Sequence, residues 1–241
     1  TSLARELEPK IRRIVRLISE TLDDTGKFDP ALAVTNLRIG AFDYELTGII
    51  PPLVAELRRV SPDIRVHAFT HHNHEGLEAL VQGQIDVSIG YFDFPTRSEN
   101  TFIAEPLYND QYVLASRKDH PLFLGRPTME QIAKANHLLI SPHGPIRNLV
   151  DHALHLQGYK RNIQTIVPSL FSALSIVENS DLVVTLPERV AKKNSYRFDI
   201  AYDLLPIEGG TFPLHVVRHI RDANNPLHFW LLELLREVVG A

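Results

Sequence analysis

Residues 36–92 alternate short apolar runs with stretches of helical periodicity, and this order limits the possible folds more than any other feature of the chain. The pattern predicts strands at 37–42, 64–70 and 85–92, with helices at 46–60 and 74–82 between them. Strands joined by crossover helices form a parallel sheet, and ligands bind at the carboxyl ends of such strands. We therefore expect a small-molecule site beyond the ends of these strands.

The remainder of the chain continues the alternation of strand and helix, which predicts a second α/β lobe. Strands are predicted at 111–116, 137–140, 163–167, 182–186 and 215–219. Helices are predicted at 128–135, 146–156, 169–179, 187–192 and 226–239. The fold class expected from the sequence is therefore α/β.

Polar and aromatic side chains follow the predicted strands and form the candidate ligand site. The candidates are Asp43, Tyr44, His71, His72, Phe92, Ser141, Pro142, His143 and Phe171. A phenol, a hydroxyl and an imidazole between two aromatic rings suit an aromatic acid. Loops after strands are polar in any α/β protein, however, and Ser141 has the alternative role of capping the helix that follows it.

The charges near the first predicted strand limit the chemistry of a ligand. Backbone amides at helix amino termini favour a carboxylate. Asp43 and Glu45 argue against a dianion directly on the first turn. We expect these two carboxylates to face solvent or to accept a hydrogen bond from a ligand hydroxyl.

The amino-terminal segment predicts an amphipathic helix with a single apolar stripe, formed by Leu3, Leu7, Ile11, Ile14, Ile18 and Leu22. These positions follow one another at steps of three or four residues, and charged residues occupy the other faces. Pro9 indicates a kink or a later helix start. Such a stripe packs either on its own domain or on another chain.

The balance of charge excludes a self-sufficient nucleic-acid-binding surface. The chain has 25 Lys and Arg against 29 Asp and Glu, whereas duplex binding requires a basic surface. No cysteine is present, which excludes disulfides and thiolate chemistry. No apolar run approaches the ~20 residues of a membrane span, and the first residues lack the apolar core of a signal peptide. We therefore expect a cytoplasmic protein without a membrane partner.

Neither a metal site nor an enzyme active site is predicted. His67, His71, His72 and His74 crowd one strand end, but alternating directions along a strand scatter their side chains. The sequence contains no P-loop, no dinucleotide-binding glycine motif and no nucleophile elbow. We expect no cofactor and no catalysis.

The order of several short motifs resembles the effector-binding domain of LysR-type transcriptional regulators. The motifs are Leu37–Gly40, Pro51–Leu53, Ser61–Ile64, Leu80–Ile89, Pro106–Tyr108, Val113–Leu122 and Val183–Pro187. They extend over nearly the whole chain, and their order and spacing make the resemblance specific. The carboxyl-terminal Asn225–Leu231 is similar to the branch that includes NodD-type and aromatic-degradation regulators.

The resemblance implies two Rossmann-like lobes of the type 2 periplasmic-binding-protein fold, preceded by an amphipathic linker helix. It implies a linker helix and linker at 1–30, lobe 1 at 31–105 plus 212–241, and lobe 2 at 106–211. The winged helix-turn-helix DNA-binding domain of the family is expected to be absent from this chain.

The resemblance also implies that the chain is the sensing part of a regulator. A small-molecule effector, an organic acid or an aromatic compound, would bind between the lobes and control transcription. The amino-terminal stripe would pair two subunits into a homodimer, and a homotetramer is expected for the full-length protein, which would bind promoter DNA only through its amino-terminal domain. The alternatives are a two-lobed solute-binding receptor, which the missing signal peptide disfavours, and an enzyme of the same fold, which lacks a catalytic constellation.

Overall fold

The computed structural model of the protein describes residues 7, 8, 10–15, 28–71, 73–92, 101–141, 149–207 and 211–240. Residues 7, 8 and 10–15 are helical and belong to helix α1, whose apolar side chains Leu7, Ile11, Ile14 and Val15 are exposed. Leu3, Ile18 and Leu22 of the predicted stripe lie outside the described residues. None of the helices in the described ranges is long and apolar enough to cross a membrane.

Lobe 1 is built on the predicted alternation of strands and helices. Its first elements are β1 (Asn36–Ala41), α2 (Asp43–Gly48), α3 (Ile50–Val60), β2 (Arg65–Thr70), α4 (Asn73–Val81) and β3 (Val87–Gly90), and α9 (Pro226–Val239) returns to it. Strand β1 pairs in parallel with both β2 and β3. The carboxyl ends of β1 and β2 lie side by side, because Ala41 is in register with Thr70.

The helix predicted from residue 46 begins at Asp43 and is divided into α2 and α3. Helix α3 carries Pro51 and Pro52 in its first turn. Proline lacks an amide hydrogen and its ring clashes with the carbonyl four residues earlier, so a continuous helix cannot pass this point. Residues 43–45, which precede the predicted start of the helix, form the first turn of α2.

Lobe 2 repeats the α/β pattern. Its elements are α5 (Met129–Lys134), β5 (Asn136–Ile140), α6 (Leu149–Leu156), β6 (Asn162–Val167), α7 (Leu170–Glu178), β7 (Val183–Pro187), α8 (Glu188–Asn194) and β8 (Ile200–Leu204). Strand β5 pairs in parallel with β6 and β7. The side chain of Thr128 caps α5, and Gln131 completes a capping box.

Two long antiparallel strands, β4 (Phe102–Arg117) and β9 (Thr211–His219), join the lobes. Strand β4 pairs with β9 from Phe102 to Gln111 and with β7 and β8 over its remaining residues. One strand thus belongs to both sheets, in the order β2-β1-β3-β9-β4-β7-β5-β6. The sequence predicted only the second half of β4 and did not predict β8.

Each lobe has its own hydrophobic core. In lobe 1, Leu53 of α3 and Leu235 of α9 are fully buried in the core that includes β1. In lobe 2, Leu174 of α7 is fully buried in the core that includes β7. Phe42 and Tyr44 follow β1 of lobe 1 in the chain but pack against the core of lobe 2. The start of α2 therefore lies where the two lobes meet.

Candidate functional site

Helix α2 is held at its amino end by a hydrogen bond that crosses from one lobe to the other. The backbone amide of Leu170, the first residue of α7, donates to the carboxylate of Asp43. The first amides of a helix lack partners within the helix, and the helix dipole favours a negative charge beside them. Asp43 is half-buried.

The carboxyl end of α2 also contacts lobe 2. The ammonium group of Lys193 in α8 donates to the carbonyl oxygen of Gly48 at 3.1 Å and to that of Thr47 at 3.4 Å. A cation at the last carbonyls of a helix is favoured by the same dipole. Helix α2 therefore belongs to lobe 1 by chain order and is contacted by lobe 2 at both ends.

A second cation of α8 joins the lobes close to this point. The guanidinium of Arg189 donates to the carbonyl oxygen of Val239, the last residue of α9, at 2.8 Å. The same group lies 4.0 Å from the ring centroid of Tyr108, which is cation–π geometry. Lys193 thus contacts helix α2 of lobe 1. Arg189 contacts helix α9 of lobe 1 and Tyr108 of β4, a strand that joins the lobes.

Glu45, on the buried face of α2, is the most unusual side chain at the junction. It is only 8% exposed, and its Oε2 atom has no hydrogen-bond partner among the described residues. Burial and, to a smaller extent, the nearby Asp110 and Asp43 raise the pKa of the Glu45 carboxyl to about 8, although hydrogen bonds from the backbone of Glu45 and Phe42 oppose the shift. Of the two alternatives expected from the sequence, exposure to solvent is wrong for Glu45, because its side chain is buried. Acceptance of a hydrogen bond from a ligand hydroxyl stays a prediction.

Asp110 of β4 is a second buried acid beside Glu45. Its carboxylate accepts hydrogen bonds from the amide of Gln111 at 2.8 Å and from that of Arg189 at 3.5 Å. Burial raises the pKa of Asp110, although these two amides oppose the shift. The junction therefore contains three carboxyl groups, on Asp43, Glu45 and Asp110, of which the last two are buried.

Three partly buried tyrosines lie within electrostatic range of Glu45. Burial raises the pKa of Tyr112 to about 12 and also raises the pKa values of Tyr44 and Tyr108. The three phenols therefore stay protonated at neutral pH and can donate hydrogen bonds. Tyr112 lies against Phe212 with ring centroids 4.6 Å apart, which adds an aromatic wall.

Two of the remaining predicted site residues, Ser141 and His71, directly follow strands β5 and β2. Ser141 is buried at the end of β5, and its amide donates to Val167. His71 donates through its amide to Ala41, and its ring stacks on Phe69.

The two predicted aromatic wall residues, Phe92 and Phe171, differ in their exposure to solvent. Phe92 is buried in the core under α4, packed with Leu80 and Val217. Phe171, the second residue of α7, is 68% exposed and lies edge-to-face on Phe198. His72, Pro142 and His143 lie outside the described residues.

Several residues at the junction were not found from the sequence. Asp110, Tyr108, Tyr112, Arg189 and Lys193 lie within strand β4 or helix α8 rather than at strand ends. Their contacts at the junction join residues that are far apart in the chain, so local sequence patterns do not indicate them. Within the described ranges, no group of three or more His, Asp or Glu side chains is arranged to hold a metal ion.

Comparison with known proteins gives consistent results. The model of the LysR substrate binding domain matches residues 32–240. NagR, an HTH-type transcriptional activator from Ralstonia sp., is 22% identical over 242 residues, covering 99% of this chain and 78% of NagR.

Solved structures share the fold. A probable transcriptional regulator from Pseudomonas aeruginosa matches with a TM-score of 0.80 at 25% identity, over 98% of this chain and 78% of that chain. The regulatory domain of MexT, a transcriptional activator in Pseudomonas aeruginosa, matches with a TM-score of 0.76 at 22% identity, over 86% of this chain and 100% of that chain.

These findings confirm the fold predicted from the sequence, the type 2 periplasmic-binding-protein fold. The resemblance to LysR-type transcriptional regulators that the sequence motifs indicate is confirmed by the matching family model. The family is one of transcriptional regulators and not of enzymes. Because its family model covers most of the sequence, the chain belongs to the LysR substrate binding domain family, the effector-binding part of LysR-type transcriptional regulators.

Proposed function

We propose that this domain senses its effector at the junction between the two lobes, around helix α2. The observation that supports this most strongly is that α2 contacts lobe 2 at both ends, through Asp43 and Lys193. Between these contacts lies Glu45, whose Oε2 atom has no hydrogen-bond partner among the described residues. A ligand that enters here changes the contacts that hold the lobes together. It then shifts the population of lobe arrangements by its difference in affinity for them.

The proposed site combines residues expected from the sequence with residues found in the structure. The candidates from the sequence are Asp43, Tyr44, His71, His72, Phe92, Ser141, Pro142, His143 and Phe171. The site also includes Glu45, Tyr108 and Tyr112 of the junction. Its mixture of aromatic surface with a few polar groups is typical of small-molecule sites.

The lobe arrangement would reach DNA through subunit contacts. We propose lobe boundaries at 31–105 plus 212–241 and at 106–211. An effector that changes the arrangement of these lobes would alter how the subunits pack and how their DNA-binding parts are spaced. Relatives such as NagR are named HTH-type regulators, which supports promoter DNA as the final partner and the cytoplasm as the location.

The exposed face of α1 supports self-association. Leu7, Ile11, Ile14 and Val15 are between 39% and 58% exposed, although all four are large and apolar. A row of such side chains on one helix is typical of an interface with another chain. We propose that Leu3, Leu7, Ile11, Ile14, Ile18 and Leu22 form a homodimer contact, and that dimers assemble into a homotetramer in the full-length protein.

Burial of Glu45 makes the stability of the junction depend on pH. Its folded pKa of about 8 lies above the value of 4.5 for an ordinary glutamate, so between these values the native state holds a proton that the unfolded state has lost. The free energy of unfolding therefore falls as pH rises through this window, by at most about 1.4 kcal/mol per pH unit.

A buried histidine has the opposite effect at lower pH. Burial lowers the pKa of His137 to about 4, so its contribution to stability is lost as pH falls through 6.5 toward 4. The contribution of Glu45 is thus best resolved between pH 6.5 and pH 8, above the window of His137.

A ligand found by a thermal-shift screen of organic acids and phenols should bind more weakly to Tyr44→Phe. At one hundred times its dissociation constant, such a ligand stabilises the native chain by about 2.7 kcal/mol. Loss of one hydrogen bond from the phenol should lower the affinity about five-fold, or about 1 kcal/mol. The control is Tyr196→Phe, since Tyr196 is 87% exposed. Equal affinity of the Tyr44→Phe and native chains in calorimetric titration would place the ligand elsewhere.

Glu45→Gln should flatten the pH dependence of stability between pH 6.5 and pH 8, because the amide does not titrate. Urea unfolding at several pH values measures the slope directly. Glu78→Gln, which removes an exposed carboxylate from α4, should keep the native slope. The buried, protonated state of Glu45 is refuted if its variant and the native chain lose stability in parallel.

Ile11→Glu combined with Ile14→Glu should dissociate the chain into monomers, because two charges in an apolar contact lack compensating partners. Sedimentation velocity at tens of micromolar measures the oligomeric state. Leu32→Glu is a matched control, since Leu32 is 77% exposed and lies outside α1. A native chain that sediments only as a monomer would contradict the proposed interface.

A further inference from the structure

Carboxylates of the chain itself already occupy the anion-binding groups at the junction. Asp43 accepts from the first amide of α7. Glu45 is the third residue of α2, and its carboxyl accepts hydrogen bonds from backbone groups of Glu45 and Phe42 at the start of that helix. A glutamate at this position commonly reaches back to the residue that begins the helix. At the amino ends of α2 and α7, backbone amides that could attract an effector carboxylate thus already donate to carboxyl groups of the chain.

The cationic side chains near the junction also contact groups of the chain itself. Lys193 donates to carbonyl oxygens at the end of α2, and Arg189 donates to Val239 and stacks on Tyr108. Arg161, which acts electrostatically on Tyr44, pairs with Asp151 through two hydrogen bonds of 2.8 and 2.5 Å. Among the described residues, the charges facing Glu45 are therefore dominated by Asp43 and Asp110.

One buried oxygen remains without a partner in this acidic environment. The Oε2 atom of Glu45 is buried and has no hydrogen-bond partner among the described residues, and a buried polar atom in this state is destabilising. Tyr44, Tyr108 and Tyr112 lie within electrostatic range of Glu45 and add aromatic rings and hydroxyl groups to the junction. An uncharged ligand group that both donates and accepts hydrogen bonds would satisfy Oε2 in the protonated and in the ionised carboxyl. A ligand carboxylate would instead add a negative charge beside Asp43 and Asp110.

We propose that the effector is an aromatic compound that presents to Glu45 an uncharged group able to donate and accept hydrogen bonds, such as an amide or a hydroxyl. The junction discriminates against aromatic carboxylates, in contrast to the organic acid that helix amino termini suggest from the sequence. This inference rests on the proposed effector site and specifies the chemistry that the site accepts.

Benzamide and benzoate provide a matched pair of probes, because they have nearly the same shape and differ in the amide and carboxylate groups. In calorimetric titration of the purified chain at neutral pH, benzamide should bind at least about ten-fold more tightly than benzoate, since like charges repel strongly at low dielectric. Tighter binding of benzoate would overturn the inference and leave the effector site standing. Failure of both compounds to bind at millimolar concentration would overturn the inference together with the site.

The double variant Asp43→Asn, Glu45→Gln tests whether these two carboxyls are the cause. Both substitutions keep the shape and a hydrogen-bond acceptor, so the fold is expected to survive, as circular dichroism and melting temperature would verify. Benzoate should bind to this variant at least about ten-fold more tightly than to the native chain, whereas Glu78→Gln should leave its affinity unchanged. An unchanged benzoate affinity in the folded double variant would show that other groups set the preference and would overturn the inference.

Discussion

The hydrogen bond between the Leu170 amide and the Asp43 carboxylate joins the two lobes directly, in addition to the strands β4 and β9 that connect them. It joins the first turn of a helix in lobe 1 to the first residue of a helix in lobe 2, and Lys193 joins the lobes again at the other end of α2. Pro51 and Pro52 end this helix after two turns and separate it from α3. Helix α2 is therefore a short, distinct element that both lobes contact.

Between the contacts at the two ends of α2, the side chain of Glu45 is buried in an environment that disfavours the ionised carboxylate. The junction retains buried acids, Glu45 and Asp110, where apolar residues of similar size would avoid the desolvation of a carboxyl group. Buried polar atoms without a hydrogen-bond partner are expected at functional sites more often than in ordinary protein cores. The position of Glu45 thus connects the packing of the lobes with the proposed binding of an effector.

Local signals in the sequence predicted most of the strands and helices, and long-range contacts explain the rest. The cap at Thr128 and the helix that follows Asn225 depend on neighbouring residues, so their patterns are visible in the sequence. The first half of β4 and all of β8 are defined by strands distant in the chain, which a local pattern does not reveal. The sequence identified Asp43 and Tyr44 as residues at a strand end, but the burial of Glu45 depends on the approach of lobe 2.

Exchange of the Leu170 amide proton with solvent tests most directly whether α2 joins the lobes. Asp43→Ala removes the only carboxylate that this amide is observed to contact among the described residues, so the amide should exchange at least about ten-fold faster, the equivalent of ~1.5 kcal/mol or more. Asp63→Ala, which removes an exposed carboxylate from lobe 1, should leave the exchange rate unchanged. Equal exchange of Leu170 in the Asp43→Ala and native chains, measured by nuclear magnetic resonance, would contradict the role assigned to α2.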